Sequence, residues 1–237
     1  MSIPATDVLF TPSGTGAAVR DAQTKLRDVV SVADFGAVGD GITDDRTAIQ
    51  NALDACAAAG GGVVTLLPKR HYIGDPVGSA TADIVIPAGV TLKGSPPGGY
   101  QSSHGYSNVP YTIVVPPTGT IRLRRNAGID GVAVVARGLF QRGPLSSAAL
   151  VMAAISGYAG IGVTLGAGTT GDSPTNGSDS FARNLLVVGF STGIKTDRAS
   201  RVHVSDCTID CHNAINHDGS YDPSFFTGLH ARSLSRV

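Results

Sequence analysis

The sequence predicts a mainly β protein, wound as stacked coils of about twenty residues behind one amphipathic helix. Three observations predict it. After Gly62 apolar residues recur at every second position, in short runs of Val, Ile, Leu and Thr broken by Gly and Pro. That is the pattern of strands joined by tight turns. Next, residues 186–194 line up with 207–215 at an offset of 21 residues, Leu186 on Cys207, Val188 on Ile209, Phe190 on Cys211 and Ile194 on Ile215. A repeat of that length implies a coil whose inward side chains stack on those of the next. A leucine-rich repeat has the same period, but its leucine pattern is missing, and a two-sheet sandwich has no reason to repeat. Finally, Ile49, Ala52, Leu53 and Cys56 put one apolar stripe on a single helix ahead of the strands.

The composition agrees. The chain has 237 residues, 42% apolar, with 31 Gly, no Trp and 15% charged, enough for one domain or a domain plus an arm. The 18 basic and 18 acidic residues balance, so no net field draws it to nucleic acid or an anionic membrane, and neither is expected as a partner. The opening Met1-Ser2-Ile3-Pro4 lacks a basic then apolar leader, so no export signal is expected. No run of 18 apolar residues occurs, so no membrane insertion is expected. Cys207 and Cys211 on one strand would stand about 13 Å apart, too far for a disulfide, which needs about 7 Å. With Cys56 they are expected to be small buried thiols.

Residues 1–28 form an arm. A loop at 11–16 precedes a helix predicted over 17–28, where Val19, Ala22 and Leu26 share one face. Three turns are marginal alone. Residues 29–38 read as an extended entry and 39–41 as a turn. The main helix is predicted over 43–59, with Asp44 and Asp45 near its positive end and Gly60-Gly61-Gly62 stopping it. Strands are then predicted at 63–67, 83–86, 90–94, 112–115, 120–124, 131–136, 149–154 and 161–165. Long loops are predicted around 100–111 and at 167–179 and 216–227.

The segment 30–53, reading Val30-Ser31-Val32-Ala33-Asp34-Phe35-Gly36-Ala37-Val38-Gly39-Asp40-Gly41 and on through Ala48-Ile49-Gln50-Asn51-Ala52-Leu53, resembles the opening of pectate-lyase-like β-helix proteins. Val63-Val64-Thr65-Leu66-Leu67-Pro68 and Val90-Thr91-Leu92-Lys93-Gly94 resemble their first coil strands. Gly14-Thr15-Gly16-Ala17-Ala18-Val19-Arg20 and Lys25-Leu26-Arg27-Asp28 resemble the leader of phage tailspikes and tail fibres. The match is specific over about 13–95; beyond it only the coil rhythm supports it. The resemblance implies a right-handed, single-stranded parallel β-helix over 29–237, an α-helix capping its N-terminal end, and a homotrimer. It further implies a virion protein whose arm, 1–28, docks to other phage tail proteins and whose flank binds or cleaves bacterial surface polysaccharide. Ser235-Arg236-Val237 repeats Ser200-Arg201-Val202, so further coils, a C-terminal cap or a partner chain is expected to follow.

Candidate chemistry lies on outward positions. If Cys207, Ile209 and Cys211 face inward, alternation turns Asp206, Thr208, Asp210 and His212 outward. Asp206, Asp210 and His212 are the catalytic candidates. Glycosidases need two carboxylates about 5–9.5 Å apart, and Asp206 and Asp210 would stand about 13 Å apart. A partner on another coil would be required, and the rung below offers none. Tyr100, His104 and Tyr106 sit in a long loop with rings suited to sugar stacking; Arg122 and Arg124 could meet an acidic sugar. The plainer reading is a solvated face for Asp206, Asp210, His212, Arg122 and Arg124, and a protomer contact or plain loop for the three rings. Asp44 and Asp45 read as helix-dipole compensation rather than as a metal site or an acid/base pair, and the run 40–45 lacks the calcium-loop order. No metal site and no cofactor are expected, and phosphate-loop, serine-hydrolase and zinc-protease motifs do not occur.

The reading is therefore a tailspike or tail fibre that attaches to host-surface polysaccharide, with or without depolymerase activity. Its rivals are a cellular polysaccharide lyase or glycoside hydrolase, which predicts an export signal and a carboxylate cluster, and a purely structural β-helix tail module.

Overall fold

Val, Ile and Leu at alternate positions bury one face of each strand, and the chain stacks those faces around a common axis. The computed structural model describes residues 3–26, 28–74, 82–96, 109–137, 158–166, 177–218 and 222–231. They fall into a small unit up to Val30 and a large one from Ser31 onward.

The large unit is a parallel β-helix. Its first sheet holds Gly62–Thr65, Val90–Lys93, Gly128–Asp130, Phe181–Arg183, His203–Ser205 and Phe225–Thr227 in that order. The second holds Asp40–Asp44, Arg70–Tyr72, Thr112–Val115, Ala133–Ala136, Leu186–Val188, Thr208–Asp210 and His230–Ala231. The third holds Ile84–Ile86, Ile121–Leu123, Ile161–Gly166, Thr192–Asp197 and Asn213–Asp218. Each coil visits the three in turn, and all these pairings are parallel. The core is three inward rows. Val64, Leu92, Ile129, Ala182 and Val204 stack in the first sheet; Ile113, Val134, Val187 and Ile209 in the second; Ile84, Ile121, Val163 and Ile194 in the third, all fully buried. Each such aliphatic contributes about 1.5–3 kcal/mol by leaving water. Left-handed residues turn the corner from first to second sheet, Gly131, Asn184, Asp206 and Gly228 on successive coils. Asn, Asp and Gly tolerate that conformation best.

The repeat is not one number. Between the coil of Phe181 and the coil of His203, first- and second-sheet partners are 22 residues apart, as in Phe181 with His203 and Val187 with Ile209, while third-sheet partners such as Ile194 and Ile215 are 21 apart. Three residues link Val188 to Thr192, but only Cys211 and His212 link Asp210 to Asn213. The ungapped alignment therefore paired Val188 with Ile209 one residue out of register. Val187 is the inward residue, and Leu186 and Val188 face outward, because a one-residue slip exchanges faces.

The main helix spans Arg46–Ala58 and buries Ile49, Ala52, Leu53 and Cys56, as its stripe predicts. It occupies the place in its coil where a third-sheet strand would come, between Asp40–Asp44 and Gly62–Thr65. The Gln50 side chain donates to the Val85 carbonyl and accepts from the Val85 N–H, both at 2.9 Å, standing in for a neighbouring strand. Residues 32–35, expected to be extended, form a 3-10 turn instead. Ser31 Oγ accepts from Ala33 N and Asp34 accepts from Ser31 N, a reciprocal cap.

In the small unit the expected 17–28 helix shrinks to Ala22–Leu26. Asp21 starts it by accepting from the Thr24 amide and hydroxyl, at 2.7 and 2.6 Å. Arg20–Asp21 is instead committed to an antiparallel pairing with Leu9–Phe10. Val19 and Leu26 stay exposed, at 57% and 72%. Arg20 grips Asp28 at 2.7 and 2.8 Å; that pairing, then the Lys25 contact, holds the Asp28 carboxyl far below the usual range. Of the predicted strands, 131–136 starts on the left-handed Gly131 corner, so only Ala133–Ala136 is strand, and Gly128–Asp130 is a separate strand before the corner. The loop predicted at 216–227 is shorter, its two ends belonging to the strands Asn213–Asp218 and Phe225–Thr227. The strand predicted at 149–154 lies outside the described residues.

Candidate functional site

The inner faces are filled with aliphatic side chains, so any ligand chemistry belongs to the outward ones. The outward face of the second sheet is apolar in its middle coils. Ala133, Val135, Leu186 and Val188 are buried there together, with Val109 packed on them. Thr112 precedes these four residues, and Thr208 and Asp210 follow them, in the same outward rows.

The outward face of the third sheet is different. Along Thr192–Asp197, Ile194 and Thr196 are fully buried while Lys195 and Asp197 point out. Register places Arg122, Thr164, Lys195 and Asn216 in one outward row and Gly166, Asp197 and Asp218 in the next. Asp197 and Asp218 are direct partners on adjacent coils, so their backbones stand about 4.8 Å apart on one face. That lies within side-chain reach of the roughly 5–9.5 Å carboxylate separation used in glycoside hydrolysis. Arg198 approaches Asp197 at 3.6 Å. Beneath them Thr196 Oγ1 and His217 Nδ1 share a 2.7 Å hydrogen bond, and the Asp218 amide donates to the same Thr196 oxygen at 3.2 Å. Two carboxylates, a cation and an amide on one rigid face can bind sugar hydroxyls and charges.

Asp206, Asp210 and His212 are not gathered together. Asp206 is the left-handed corner residue before Thr208–Asp210, its amide donating to Thr227 O at 3.0 Å. Asp210 ends that strand, half-buried, with Val188 as its partner on the coil below. His212 is exposed at the following corner, its amide donating to Phe190 O at 2.9 Å. Ile209, Cys207 and Cys211 are buried, as alternation requires. Arg122 reaches the third-sheet face but is engaged by Asp83 at 3.0 Å, and Arg124 follows the end of the same strand. Tyr100, His104 and Tyr106 lie outside the described residues. Asp197 and Asp218 escaped the sequence reading, although they fall at the 21-residue offset that aligns Ile194 with Ile215.

At the corner before the first sheet, Arg201 pairs with Asp179 at 2.6 Å and with Asp222 at 2.5 Å, and Arg125 reaches Asp179 at 3.5 Å. The Arg201 hydrogen bond holds the Asp179 carboxyl below its ordinary value. Alternating charges that satisfy one another read as a structural ladder. Among the described residues no three His, Cys, Asp or Glu side chains are grouped to hold a metal.

Over 79 residues the chain is 38% identical to the tail spike protein of Shigella phage Sf6, covering 33% of this chain and 12% of that protein. It is 58% identical over 43 residues to mannuronan C5-epimerase AlgE6 of Azotobacter vinelandii, covering 18% of this chain and 5% of that one. A mutant tailspike protein of E. coli bacteriophage HK620, solved in complex with a pentasaccharide, superposes with a TM-score of 0.61 over 94% of this chain and 39% of its own, at 17% identity. The chain thus spans 12% or less of those two curated relatives. The family model described as rhamnogalacturonase A/epimerase, pectate lyase-like, matches residues 29–227, nearly the whole stack of coils, and the chain belongs to that family.

Proposed function

We propose that the chain is part of a phage tailspike or tail fibre that attaches to bacterial surface polysaccharide through the outward face of its third sheet. The observation that carries this reading is the in-register pair Asp197 and Asp218, stacked beside Lys195 and Asn216 on a rigid core. Similarity to the Sf6 tail spike, and a shared fold with a tailspike that binds a pentasaccharide, support the phage assignment. In this reading the Arg46–Ala58 helix caps the coils, the small unit up to Val30 docks to other tail proteins, and three copies associate on the virion. Cleavage would use the Asp197–Asp218 pair, one carboxyl protonating the leaving sugar oxygen and the other acting as nucleophile or as base toward water.

The test is incubation of the purified chain with capsular polysaccharides from a panel of bacteria, following binding by sedimentation and cleavage by viscosity. Binding to one of them is expected, with Lys195→Ala weakening it roughly tenfold through loss of a charged hydrogen bond. If viscosity falls, Asp197→Asn and Asp218→Asn should each abolish the fall. A chain that binds none of the panel would end the attachment reading. Similarity to the mannuronan epimerases favours a second reading, a cellular polysaccharide enzyme; a monomer in sedimentation that modifies polymannuronate would select it.

A further inference from the structure

The outward face of the first sheet carries an aromatic row. Register places Thr91, Gly128, Phe181, His203 and Phe225 one above another. The tip of the Phe181 ring fills the space over Gly128 that any Cβ would occupy, and the Arg183 guanidinium lies 5.0 Å from the centre of that ring. His203 and Phe225 stack with centroids 4.9 Å apart and planes 20° from parallel. Phe225 remains 52% exposed. Two positions further along the same strands runs a second outward row, Lys93, Asp130, Arg183, Ser205 and Thr227. Asp130 there is engaged by Arg183 at 3.0 Å and Asn184 at 2.8 Å, whereas Arg183 is still 52% exposed. The other side of the aromatic row is the Asp179–Arg201–Asp222 ladder.

The apolar strip is therefore one side chain wide and three coils long, with polar groups repeating on both sides about every 4.8 Å. A stable protein interface takes about 800 Å² from each partner. An aromatic side chain supplies about 150–250 Å² when fully covered, and these rings already cover one another or Gly128. The strip is too small for a folded partner and has the width of a linear polymer. His203 and Phe225 each cover one face of the other and both side chains remain exposed, so their outward edges meet solvent. Ring edges are the electropositive part of an aromatic group; Arg183 adds a cation beside Phe181, and Lys93 stands two coils further along the same flank. Oxygen-rich, negatively charged ligands fit such a surface.

We propose that this row is a binding track for a linear polysaccharide bearing carboxylates, lying along the axis of the coils. Ring edges and the His203 imidazole meet sugar oxygens, Arg183 and Lys93 take the carboxylates, and Ser205 and Thr227 bond hydroxyls. The track rests on the polysaccharide reading above but not on the third-sheet carboxylates.

The test is electrophoresis of the whole chain through gels cast with alginate, a polyuronate, or with dextran, which is neutral. Alginate should retard the wild type and dextran should not. Combined His203→Ala and Phe225→Ala should weaken the alginate effect roughly tenfold, and Arg183→Gln should weaken it where Arg183→Lys largely keeps it. Unchanged circular dichroism certifies the fold of each variant. Alginate retardation equal in wild type and double variant would overturn the track and leave polysaccharide binding standing. Equal retardation by dextran would overturn the acidic class. Self-association lost in the double variant would make the strip a contact between copies, overturning the glycan. No retardation of the wild type by alginate would overturn the track and leave the attachment reading to be decided by the capsular panel.

Discussion

Asp45 and His71 bring two ionisable groups inside the first coils. The Asp45 carboxylate is 1% exposed and accepts from Val38 N at 2.7 Å, Gly39 N at 2.9 Å and His71 Nδ1 at 2.7 Å. An oxygen that only accepts assigns the proton to Nδ1, and Nε2 has no partner among the described residues. The adjacent pair Asp44-Asp45 reads in sequence as compensation of the helix dipole, and only half of that holds. Asp44 accepts from Arg46 N at 3.0 Å and Gly74 N at 2.9 Å, whereas Asp45 makes no side-chain cap and ties a turn to a strand instead. Removing one member of a buried pair strands the other, so Asp45→Ala should cost about 3–5 kcal/mol in urea unfolding, and the exposed Asp54→Ala less than about 0.5 kcal/mol. Equal losses would show that the buried pair contributes nothing. The cysteines give a pH prediction. Burial pushes Cys207 up to about 11 and Cys211 to about 12. A raised thiol favours the neutral folded form, so its stabilisation is complete below the ordinary thiol value and is lost as pH climbs toward 11 and 12. At pH 8 both thiols should resist a disulfide reagent until urea unfolds the chain; fast labelling of the folded protein would contradict their burial.

The Arg46–Ala58 helix shows why some of this fold is legible and some is not. Its apolar residues, Ile49, Ala52, Leu53 and Cys56, stand against polar neighbours such as Gln50, Asn51 and Asp54, so the buried face is written plainly in the sequence. Leu186-Val187-Val188 is apolar throughout, so alternation cannot say which side chain faces in, and the register there slipped by one. The Asp197–Asp218 pair was within reach of the same alignment, which stopped at Ile194 and Ile215, three residues short. The role of Gln50 was not legible, because a side-chain amide facing a strand edge leaves no periodic trace. That amide satisfies both Val85 backbone groups, as a strand would, and closes an edge that otherwise invites pairing with other chains. Gln50→Ala should therefore cost about 1–3 kcal/mol and raise aggregation on warming. Leu53→Ala, emptying the face beneath, should cost about 2–5 kcal/mol. If Gln50→Ala matches the wild type in both thermal unfolding and light scattering, the edge needs no closure.

Stacked coils touch only their neighbours, so the stability of the molecule is close to a sum of coil-to-coil contacts. Leu92 and Ile129 are register partners in the inward row of the first sheet, and both are fully buried. Ile209 is equally buried but lies in the second sheet above Val187, on the coil of Val204, which is two coils beyond the coil of Ile129. Truncating any one of the three to Ala should cost about 2–5 kcal/mol, the spread reflecting how far each hole collapses. Combinations separate the architecture from a globular core. Leu92→Ala with Ile129→Ala merges two adjacent holes, and their effects should depart from additivity by about 0.5–3 kcal/mol. Leu92→Ala with Ile209→Ala leaves intact coils between the holes, and those effects should add to within about 0.3–0.5 kcal/mol. Urea unfolding of the five variants measures both quantities. Strong coupling of the distant pair would mean that the coils share one cooperative core, and coil-by-coil stacking would not describe how this chain is held together.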